Sequence, residues 1–189
     1  MTILMNHTPP PKTPRILVGL GNPGPEYAHT YHNIGSLFLD SLTETMVDSP
    51  RDWKDANSFS YLRTPHTFFV KPHVFMNEAG KAVSAALRYF SLSPRDLFVA
   101  HDDADIALGD FKISFGKSAG GHRGVQSIID ALDTSSFSRI RIGVRAPSSL
   151  FGIPLPRRRA GDLVLKKIST AHMRVFRDTF STLMHTLYD

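Results

Sequence analysis

Four polar clusters in this chain carry side chains that could perform acid–base chemistry or bind a polar substrate. They lie at residues 22–32, 76–77, 101–102 and 120–123 of a 189-residue sequence. Each cluster stands at the end of a predicted strand or in the loop after it. Ligands bind at that edge of an open α/β sheet, so the sequence predicts that the four clusters meet in one site.

His32 is the best candidate for a general base, because an unperturbed imidazole has a pKa of about 6.5 and takes a proton from water near neutral pH. Asp102 is the candidate partner, since a carboxylate that accepts one ring N–H fixes the tautomer and stabilises the imidazolium. Taken alone, His32 is more simply explained as a histidine at a helix start or in the core. Its co-occurrence with the other polar clusters favours the catalytic interpretation.

Two asparagines have both a structural and a functional explanation. Asn77 precedes a predicted helix, where asparagine commonly caps the first turn, and Asn22 precedes Pro23 in a turn. A carboxamide both donates and accepts hydrogen bonds, so Asn22 also suits an ester or peptide carbonyl of a substrate. Capping and ligand contact are compatible, and both explanations stay open from the sequence.

The same clusters contain an alternative set of metal ligands, because imidazole and carboxylate groups commonly bind metals. The set comprises His29, His32, His101, Asp102, Asp103 and Asp105. Its spacing matches no strong metal motif. The aspartates lack the glycine and terminal glutamate of a calcium loop, and the two histidines of the first cluster have no adjacent acidic partner. We therefore predict no metal and no cofactor.

The glycines of residues 19–24 spell G-x-G-x-x-G, the spacing of a dinucleotide-binding turn. In that fingerprint the third glycine lies in a helix that opens at once, and an acidic residue ends a second strand about 20 residues on. Here Pro23 and Pro25 flank Gly24, and Asp40 falls in a helical pattern. The sequence therefore predicts a rigid polar loop that carries Asn22, Tyr27 and His32.

Composition limits the class of protein. The 189 residues fit one domain, since a chain of this length buries about 70% of the surface that its unfolded form exposes. The absence of cysteine excludes disulfides, thiolate metal sites and cysteine nucleophiles, and no apolar run approaches the roughly 20 residues of a membrane helix. A net charge of +5 favours partners with phosphates. Residues 139–177 hold ten arginines and lysines against the single acid Asp162, which indicates either a solvated basic surface or a polyanion contact.

Strand and helix patterns alternate along the chain. Predicted strands cover residues 16–20, 60–63, 67–71, 97–100, 111–115 and 139–144, and predicted helices cover residues 35–46, 79–90, 125–132 and 173–187. This alternation predicts an α/β fold, a single-domain α/β/α sandwich with a twisted mixed central sheet. Residues 1–14, which include four prolines, are predicted to be a mobile tail, and residues 15–189 form the predicted domain.

Five ordered motifs carry a resemblance to a known family. They are G-L-G-N-P-G-P-E-Y-A-x-T-x-H-N-x-G from residue 19, K-P-x-x-F-M-N-x-x-G-K-A-V from residue 71, V-A-H-D-D-x-D from residue 99, G-G-H-x-G-x-x-S-I-I from residue 120 and R-I-R-I-G-V from residue 139. Together they resemble bacterial-type peptidyl-tRNA hydrolase. The resemblance runs from about residue 15 to the end of the chain and is strongest up to Gly143.

The resemblance implies an esterase that cleaves the bond between a peptide and the 3′ ribose of tRNA, and so recycles peptidyl-tRNA released from stalled ribosomes. It implies that His32 activates water, that Asp102 stabilises its basic form, and that Asn22 helps to distinguish N-blocked from free aminoacyl-tRNA. It also implies substrate or tRNA contacts for Tyr27, Phe75, Asn77 and Arg123. The expected protein is a monomer without membrane contact, located in the cytoplasm or, for a eukaryotic source, in mitochondria.

The chain departs from the family at one position of the site. Where the family has asparagine in G-G-H-N-G, this chain has Arg123, which offers five donors, no acceptor and a full charge. Arginine could hold a tRNA phosphate bidentately, or it could crowd the attacking water. Arg123 leaves open a non-catalytic RNA-binding relative in which hydrolysis is disabled. The glycine spacing of residues 19–24 leaves open a second alternative, a nucleotide-binding oxidoreductase. The retained His32 and Asp102 favour the enzyme.

The segment before the final helix also departs from the family, because residues 146–159 carry extra proline and arginine. We predict that Arg157, Arg158 and Arg159 contact the tRNA backbone. Their replacement by alanine should then weaken tRNA binding and reduce its dependence on salt.

Overall fold

Short apolar runs form the centre of a mixed sheet. The computed structural model describes residues 15–46, 53–145, 149–150, 153–154 and 164–188, and seven strands of this part make the sheet. Their bounds are Ile16–Gly19 (β1), Lys54–Ala56 (β2), Phe59–Arg63 (β3), Phe68–Pro72 (β4), Leu97–Ala107 (β5), Phe111–Phe115 (β6) and Ser138–Arg145 (β7). The strand order is β2-β3-β4-β1-β5-β7-β6. A separate antiparallel pair follows, Ser149–Leu150 (β8) and Ile153–Pro154 (β9).

The middle of the sheet is parallel and its margins are antiparallel. Strand β1 pairs in parallel with β4 and β5, and β5 pairs in parallel with β7. Strands β2, β3 and β4 pair antiparallel in sequence, as do β6 and β7. Parallel strands are covered on both faces, which explains why Ile16, Leu17 and Val18 are fully buried in succession. The predicted mixed sheet is confirmed, and the predicted strands at residues 60–63 and 67–71 pair as a hairpin.

Four helices cover the two faces of the sheet in the described part of the chain: Ile34–Met46 (α1), Ala79–Tyr89 (α2), Arg123–Leu132 (α3) and Thr170–Tyr188 (α4). Phe38 of α1 and Phe176 of α4 belong to one apolar cluster, and Val83 of α2 and Ile128 of α3 belong to a second. A layer of helices therefore lies on each side of the sheet, as predicted. None of these described helices is both long enough and apolar enough to cross a membrane.

Two glycines bring the elements of the site together. A Cβ atom on Gly35 would overlap the carbonyl oxygen of Ala100, so α1 can pack directly on β5 only because residue 35 is glycine. A Cβ atom on Gly80 would overlap the carbonyl oxygen of Ser127, and the Gly80 N–H donates to Ser127 Oγ at 3.0 Å. The first contact sets the turn that carries His32 over β5. The second joins α2 to α3.

One predicted strand boundary at the site is wrong. The sequence places His101 and Asp102 after a strand that ends at residue 100, but β5 continues to Ala107. Aspartate is depleted in strands, and this local preference is overridden because β7 pairs with β5 along this stretch. Both side chains therefore lie within a strand. The predictions for residues 1–14 and for Arg157, Arg158 and Arg159 fall outside the described residues.

Candidate active site

A cavity of about 600 Å³ opens beside the carboxyl ends of β1 and β4. The loops after these strands, the middle of β5 and the start of α3 form its wall. All seven site residues predicted from the sequence line it: Asn22, Tyr27, His32, Phe75, Asn77, Asp102 and Arg123. The four polar clusters therefore meet in one place.

His32 and Asp102 are directly hydrogen-bonded. His32 lies in a 3-10 turn, Tyr31–Asn33, that leads into α1, and its Nδ1 lies 2.7 Å from Oδ1 of Asp102 on β5. The two side chains are only 11% and 4% exposed. This contact joins residues 70 positions apart in the sequence, and the close packing of Gly35 on β5 makes it geometrically available.

His122 is a second histidine on the same carboxylate. Its Nδ1 accepts the backbone N–H of Val125 at 3.2 Å, so it is the N-cap of α3. A nitrogen that accepts a hydrogen bond carries no proton, and the neutral ring must therefore carry its proton on Nε2. Nε2 lies 3.0 Å from Oδ1 of Asp102 and donates to it. The helix cap thus fixes the tautomer of His122 and points its N–H at Asp102.

The carboxylate of Asp102 is ionised and accepts from both rings. Burial by itself would raise the pKa of Asp102, but the electrostatic interaction and hydrogen bond with His122, together with the hydrogen bond from His32, outweigh it. The pKa of Asp102 consequently lies well below its usual value. Since an ionised carboxylate has no proton to give, His32 donates through Nδ1. In the neutral ring, Nε2 is then the nitrogen whose lone pair is free to accept a proton.

His101 lies beneath this arrangement and stays neutral. It is 1% exposed, and burial, followed by the proximity of His122, lowers its pKa to about 3. Its Nδ1–H donates to the backbone carbonyl of Asp102 at 2.7 Å, and its ring packs against His122 with centroids 4.6 Å apart. His101 does not line the cavity, so it supports the site from behind.

The hydrogen bonds of Asn22 determine which atoms of its side chain remain free to bind a ligand. The side chain of Asn33 accepts from the Asn22 N–H and donates to the Asn22 carbonyl, both at 2.9 Å. The Asn22 side-chain oxygen accepts the backbone N–H of Met76 at 2.8 Å. Because this oxygen is engaged, the carboxamide offers the cavity its NH₂ donors. The sequence left donor and acceptor roles open, and the fold selects the donor.

Tyr27 and Phe75 form an aromatic wall of the cavity. Their rings meet edge to face with centroids 6.2 Å apart, and Phe75 is 51% exposed. Leu165, which is 55% exposed, also lines the cavity, next to Val164. The sequence did not identify these two aliphatic residues as part of the site, because they lie far from the motifs. Together the four side chains present an apolar surface beside the polar groups.

Asn77 does not cap a helix through its side chain. It is the middle residue of a 3-10 turn, Met76–Glu78, and the N-cap position of α2 is taken by Glu78, which makes no side-chain cap hydrogen bond. Asn77 is exposed and lines the cavity. Of the two explanations for this residue, the capping one is therefore wrong.

Arg123 is the first residue of α3, next to the cap His122. It is exposed, it lines the cavity, and within the described residues its side chain makes no hydrogen bond or ion pair. A cation at a helix N-terminus is opposed by the helix dipole. The position therefore does not stabilise α3, and the guanidinium is available to an anion in the cavity.

The glycines of the first motif serve packing and turn geometry. A Cβ atom on Gly19 would overlap the carbonyl group of Gly35 in α1. Gly24 has a φ of +106°, a conformation that side chains disfavour, and its carbonyl accepts the N–H of Tyr27 at 3.1 Å. The loop is a turn without a helix at its third glycine, so it lacks the feature that holds a pyrophosphate in a dinucleotide site.

Three potential metal ligands lie together, although they differ from the set considered from the sequence. The ligand atoms of His32, Asp102 and His122 all lie within 4.8 Å of one another. His29 is exposed and outside the cavity lining. A metal bound to the three would have to replace both N–H donors of the carboxylate. The donor set is thus better matched to protons than to a metal ion.

Comparison with known proteins agrees with the motifs. Residues 16–188 match the family described as peptidyl-tRNA hydrolase. The peptidyl-tRNA hydrolase of Pseudothermotoga lettingae is 41% identical over 130 residues, which cover 69% of this chain and 68% of that protein. The enzyme of the same name from Coxiella burnetii is 38% identical over 133 residues, covering 70% and 71%.

A solved structure extends the comparison to the fold. A crystal structure of peptidyl-tRNA hydrolase from Acinetobacter baumannii aligns with a TM-score of 0.74 at 25% identity. The alignment covers 92% of this chain and 86% of that one. These matches agree with the ordered motifs and with the sheet that carries helices on both faces. The chain belongs to the peptidyl-tRNA hydrolase family.

Proposed function

We propose that this protein hydrolyses the ester bond between the peptide and the 3′ ribose of peptidyl-tRNA, with His32 as the base that activates water. The observation that carries the proposal is the hydrogen bonding of Asp102. Its Oδ1 accepts from the rings of both His32 and His122, so the lone pair of a neutral His32 ring lies on Nε2, beside the cavity. Family membership supplies the substrate class.

The reaction follows from this protonation state. Nε2 of His32 takes a proton from water, and the water oxygen forms a bond to the ester carbonyl carbon. Asp102 stabilises the imidazolium through the Nδ1–H bond. When the bond from that carbon to the ribose oxygen breaks, the imidazolium returns its proton to the leaving oxygen. The products are the free peptide acid and tRNA with an intact 3′ terminus.

The other cavity residues are proposed to bind the substrate. The NH₂ group of Asn22 donates to a carbonyl of the peptide and helps to distinguish N-blocked from free aminoacyl groups. Tyr27 and Phe75 contact the peptide or the terminal base through their rings, and Asn77 hydrogen-bonds the bound ester end. These assignments rest on the cavity lining and on the hydrogen bond that already engages the oxygen of Asn22.

Arg123 is proposed to hold a phosphate of the tRNA 3′ end. Its side chain is exposed at the cavity, and a guanidinium binds phosphate in a bidentate manner. The basic residues between 139 and 177 extend the positive charge along the chain. Contact of Arg157, Arg158 and Arg159 with the tRNA backbone is retained as part of this proposal.

The non-catalytic RNA-binding alternative is not favoured, because the curated relatives are named as hydrolases and the His32–Asp102 pair is assembled. In the cell, the proposed reaction would return tRNA from stalled ribosomes to translation. We further propose that residues 15–189 act as one domain, that the protein is a monomer and that it works in the cytoplasm. Gel filtration with light scattering tests the monomer.

The decisive experiment measures hydrolysis of N-acetyl-aminoacyl-tRNA. We expect activity in the wild type, with or without a chelator, and its loss in His32→Ala. His29→Ala is the matched control, because His29 is an exposed histidine of the same loop outside the cavity. Full activity in His32→Ala would exclude the mechanism, and loss of activity on chelation would support a metal-dependent one. An inactive wild type that Arg123→Asn restores would identify the non-catalytic relative.

A further inference from the structure

The turn before α1 is tied to three different parts of the molecule by three consecutive residues. His32 bonds Asp102 on β5, and Asn33 exchanges two hydrogen bonds with the loop after β1. The third tie runs away from the cavity: the hydroxyl of Tyr31 lies 2.6 Å from Nδ1 of His172 on α4. This last tie connects the turn that carries His32 to the C-terminal helix.

Tyr31 is fixed by burial as well as by its hydroxyl. It is 5% exposed, and its ring meets the rings of His172 and Phe176 at centroid distances of 5.9 and 6.2 Å, both edge to face. The backbone N–H of His172 donates to Ser169 Oγ at 3.2 Å at the start of α4. Both partners of the hydrogen bond are therefore held in place by their own surroundings.

Backbone hydrogen bonds join the same two segments. The Tyr31 N–H donates to the carbonyl of Lys166 at 3.2 Å, and the Ile168 N–H donates to the carbonyl of His29 at 2.8 Å. Between them, residues 30 and 167 form an isolated antiparallel bridge. Leu165, which lines the cavity, comes directly before this bridge. The start of α4 is thus attached both to the turn of the base and to a wall of the cavity.

We propose that Tyr31 and His172 are positioning residues for the hydrolytic reaction, because their hydrogen bond anchors the turn that carries His32 to α4. This inference rests on the proposed function of the site. Tyr31 and His32 share a peptide unit in a 3-10 turn, so a shift of one backbone moves the other. A misplacement of about 1 Å at a reacting group lowers a rate by about 100-fold, and the hydrogen bond limits such a shift.

The test compares variants that remove the hydrogen bond with one that restores it. Tyr31→Phe and His172→Leu each remove one partner, and both should lower kcat for N-acetyl-aminoacyl-tRNA about fivefold with the Kd for uncharged tRNA unchanged. The double variant should be no slower than either single one, because the bond can be lost only once. In His172→Asn the carboxamide lies near the position of Nδ1, and its oxygen or its NH₂ group can form the hydrogen bond to the Tyr31 hydroxyl. This variant should therefore have a kcat within about twofold of the wild type.

A matched control separates positioning from general stability. Leu183 lies in the same apolar cluster, but in the C-terminal part of α4 and not in the first turn that holds His172. Leu183→Val should therefore lower the melting temperature without changing kcat. An equal fall in kcat for Leu183→Val, at an equal loss of melting temperature, would overturn the proposal. So would additive losses in the double variant, or a failure of His172→Asn to restore kcat.

A spectroscopic measurement distinguishes this inference from the proposed function. The Nδ1 proton of His32, bonded to Asp102, should give a downfield NMR resonance in the free protein, whatever the substrate. Tyr31→Phe and His172→Leu should broaden or shift it, and His172→Asn should restore it. An inactive wild type whose resonance responds in this way would reject the hydrolase proposal and retain the anchor. An unchanged resonance in all variants would reject the anchor even in an active enzyme.

Discussion

The buried part of the cavity and its exposed rim differ in whether their polar side chains are hydrogen-bonded within the protein or exposed to solvent. The buried cluster consists of His32, Asp102 and His122, and every polar atom that these side chains direct at one another is hydrogen-bonded in the free protein. The rim consists of Phe75, Asn77 and Arg123, which are exposed. Asp102 is 4% exposed whereas Phe75 is 51% exposed.

This difference follows from the cost of burying polar groups. A buried carboxylate without partners would be strongly unfavourable, so the fold must complete its hydrogen bonds before any substrate arrives. Exposed side chains have water as their partner and carry no such penalty. We therefore expect the buried cluster to set the rate of the chemical step and the rim to set substrate affinity, and each of the following predictions can contradict that division.

The largest effect is expected for Asp102→Asn. An amide can donate to Nδ1 of His32, which would shift the ring proton to Nε2 and remove the base. We expect kcat to fall on the order of 10³-fold, with the Kd for uncharged tRNA little changed. Asp110→Asn removes an exposed carboxylate outside the cavity and should retain activity. A loss of tRNA affinity equal to the loss of kcat would contradict the assignment of chemistry to the buried cluster.

A large effect on stability is expected at acidic pH from His101. Its folded pKa of about 3 lies below the ordinary histidine value of about 6.5, so between these values the unfolded chain binds a proton that the folded chain does not. The free energy of unfolding should therefore fall as the pH drops from 6.5 to 4.5, by up to about 1.4 kcal/mol per pH unit from this residue.

Denaturant titrations at the two pH values measure this dependence. His101→Asn keeps a side-chain donor for the carbonyl of Asp102 but cannot titrate, so it should flatten the slope. His66→Asn, at an exposed histidine, should leave the slope as it is in the wild type. An identical slope in the wild type and His101→Asn would show that the protonation of His101 does not oppose folding.

A smaller effect is expected at His122, where two functions can be separated. His122→Ala removes both the cap of α3 and the N–H that orients Asp102, so it should lower stability by about 1 kcal/mol and kcat about tenfold. His122→Asn retains an acceptor for the N–H of Val125, and only kcat should fall. Thermal unfolding and single-turnover rates check the two effects. Equal stability losses in both variants would remove the capping role.

The smallest effect on turnover is expected at the rim. Arg123→Ala should weaken tRNA binding severalfold and leave the single-turnover rate at saturation within about threefold of the wild type. The slope of log K against log salt should fall by about 0.7 if the lost contact is to a single-stranded phosphate. Arg88→Ala, on the exposed end of α2, should change neither quantity. A large fall in the saturated rate would place Arg123 with the buried cluster.

Local sequence patterns were sufficient for most of the elements. The alternation at Phe111, Ile113 and Phe115 predicted β6, and the helical spacing after Gly35 predicted α1. One failure has a tertiary cause. The predicted strand ended at residue 100, but pairing with β7 extends β5 through the two aspartates, a residue type that strands usually lack.

The sequence predicted seven residues of the cavity lining, but it missed His122, Val164 and Leu165 and did not predict the hydrogen bonds of the site. All seven predicted residues line the cavity, because polar residues at the carboxyl ends of parallel strands converge at one edge. The cap that fixes the tautomer of His122 was not predicted, although Gly-Gly-His before a helix was visible in the sequence. Nor was the engagement of the Asn22 oxygen by Met76, which lies 54 residues away.

The sequence by itself determined the family, most of the strands and helices, and the pairing of His32 with Asp102, since these depend on motif identity and on periodicity along the chain. The tertiary structure alone decided that one oxygen of Asp102 accepts from two histidines, that Asn77 faces the cavity instead of capping a helix, and that Tyr31 meets His172 across 141 residues. The physical reason is that a hydrogen bond requires its atoms to lie within about 3 Å. Between residues far apart in the chain, only the packing of α1 on β5, α2 on α3 and α4 on the turn before α1 sets distances to that accuracy.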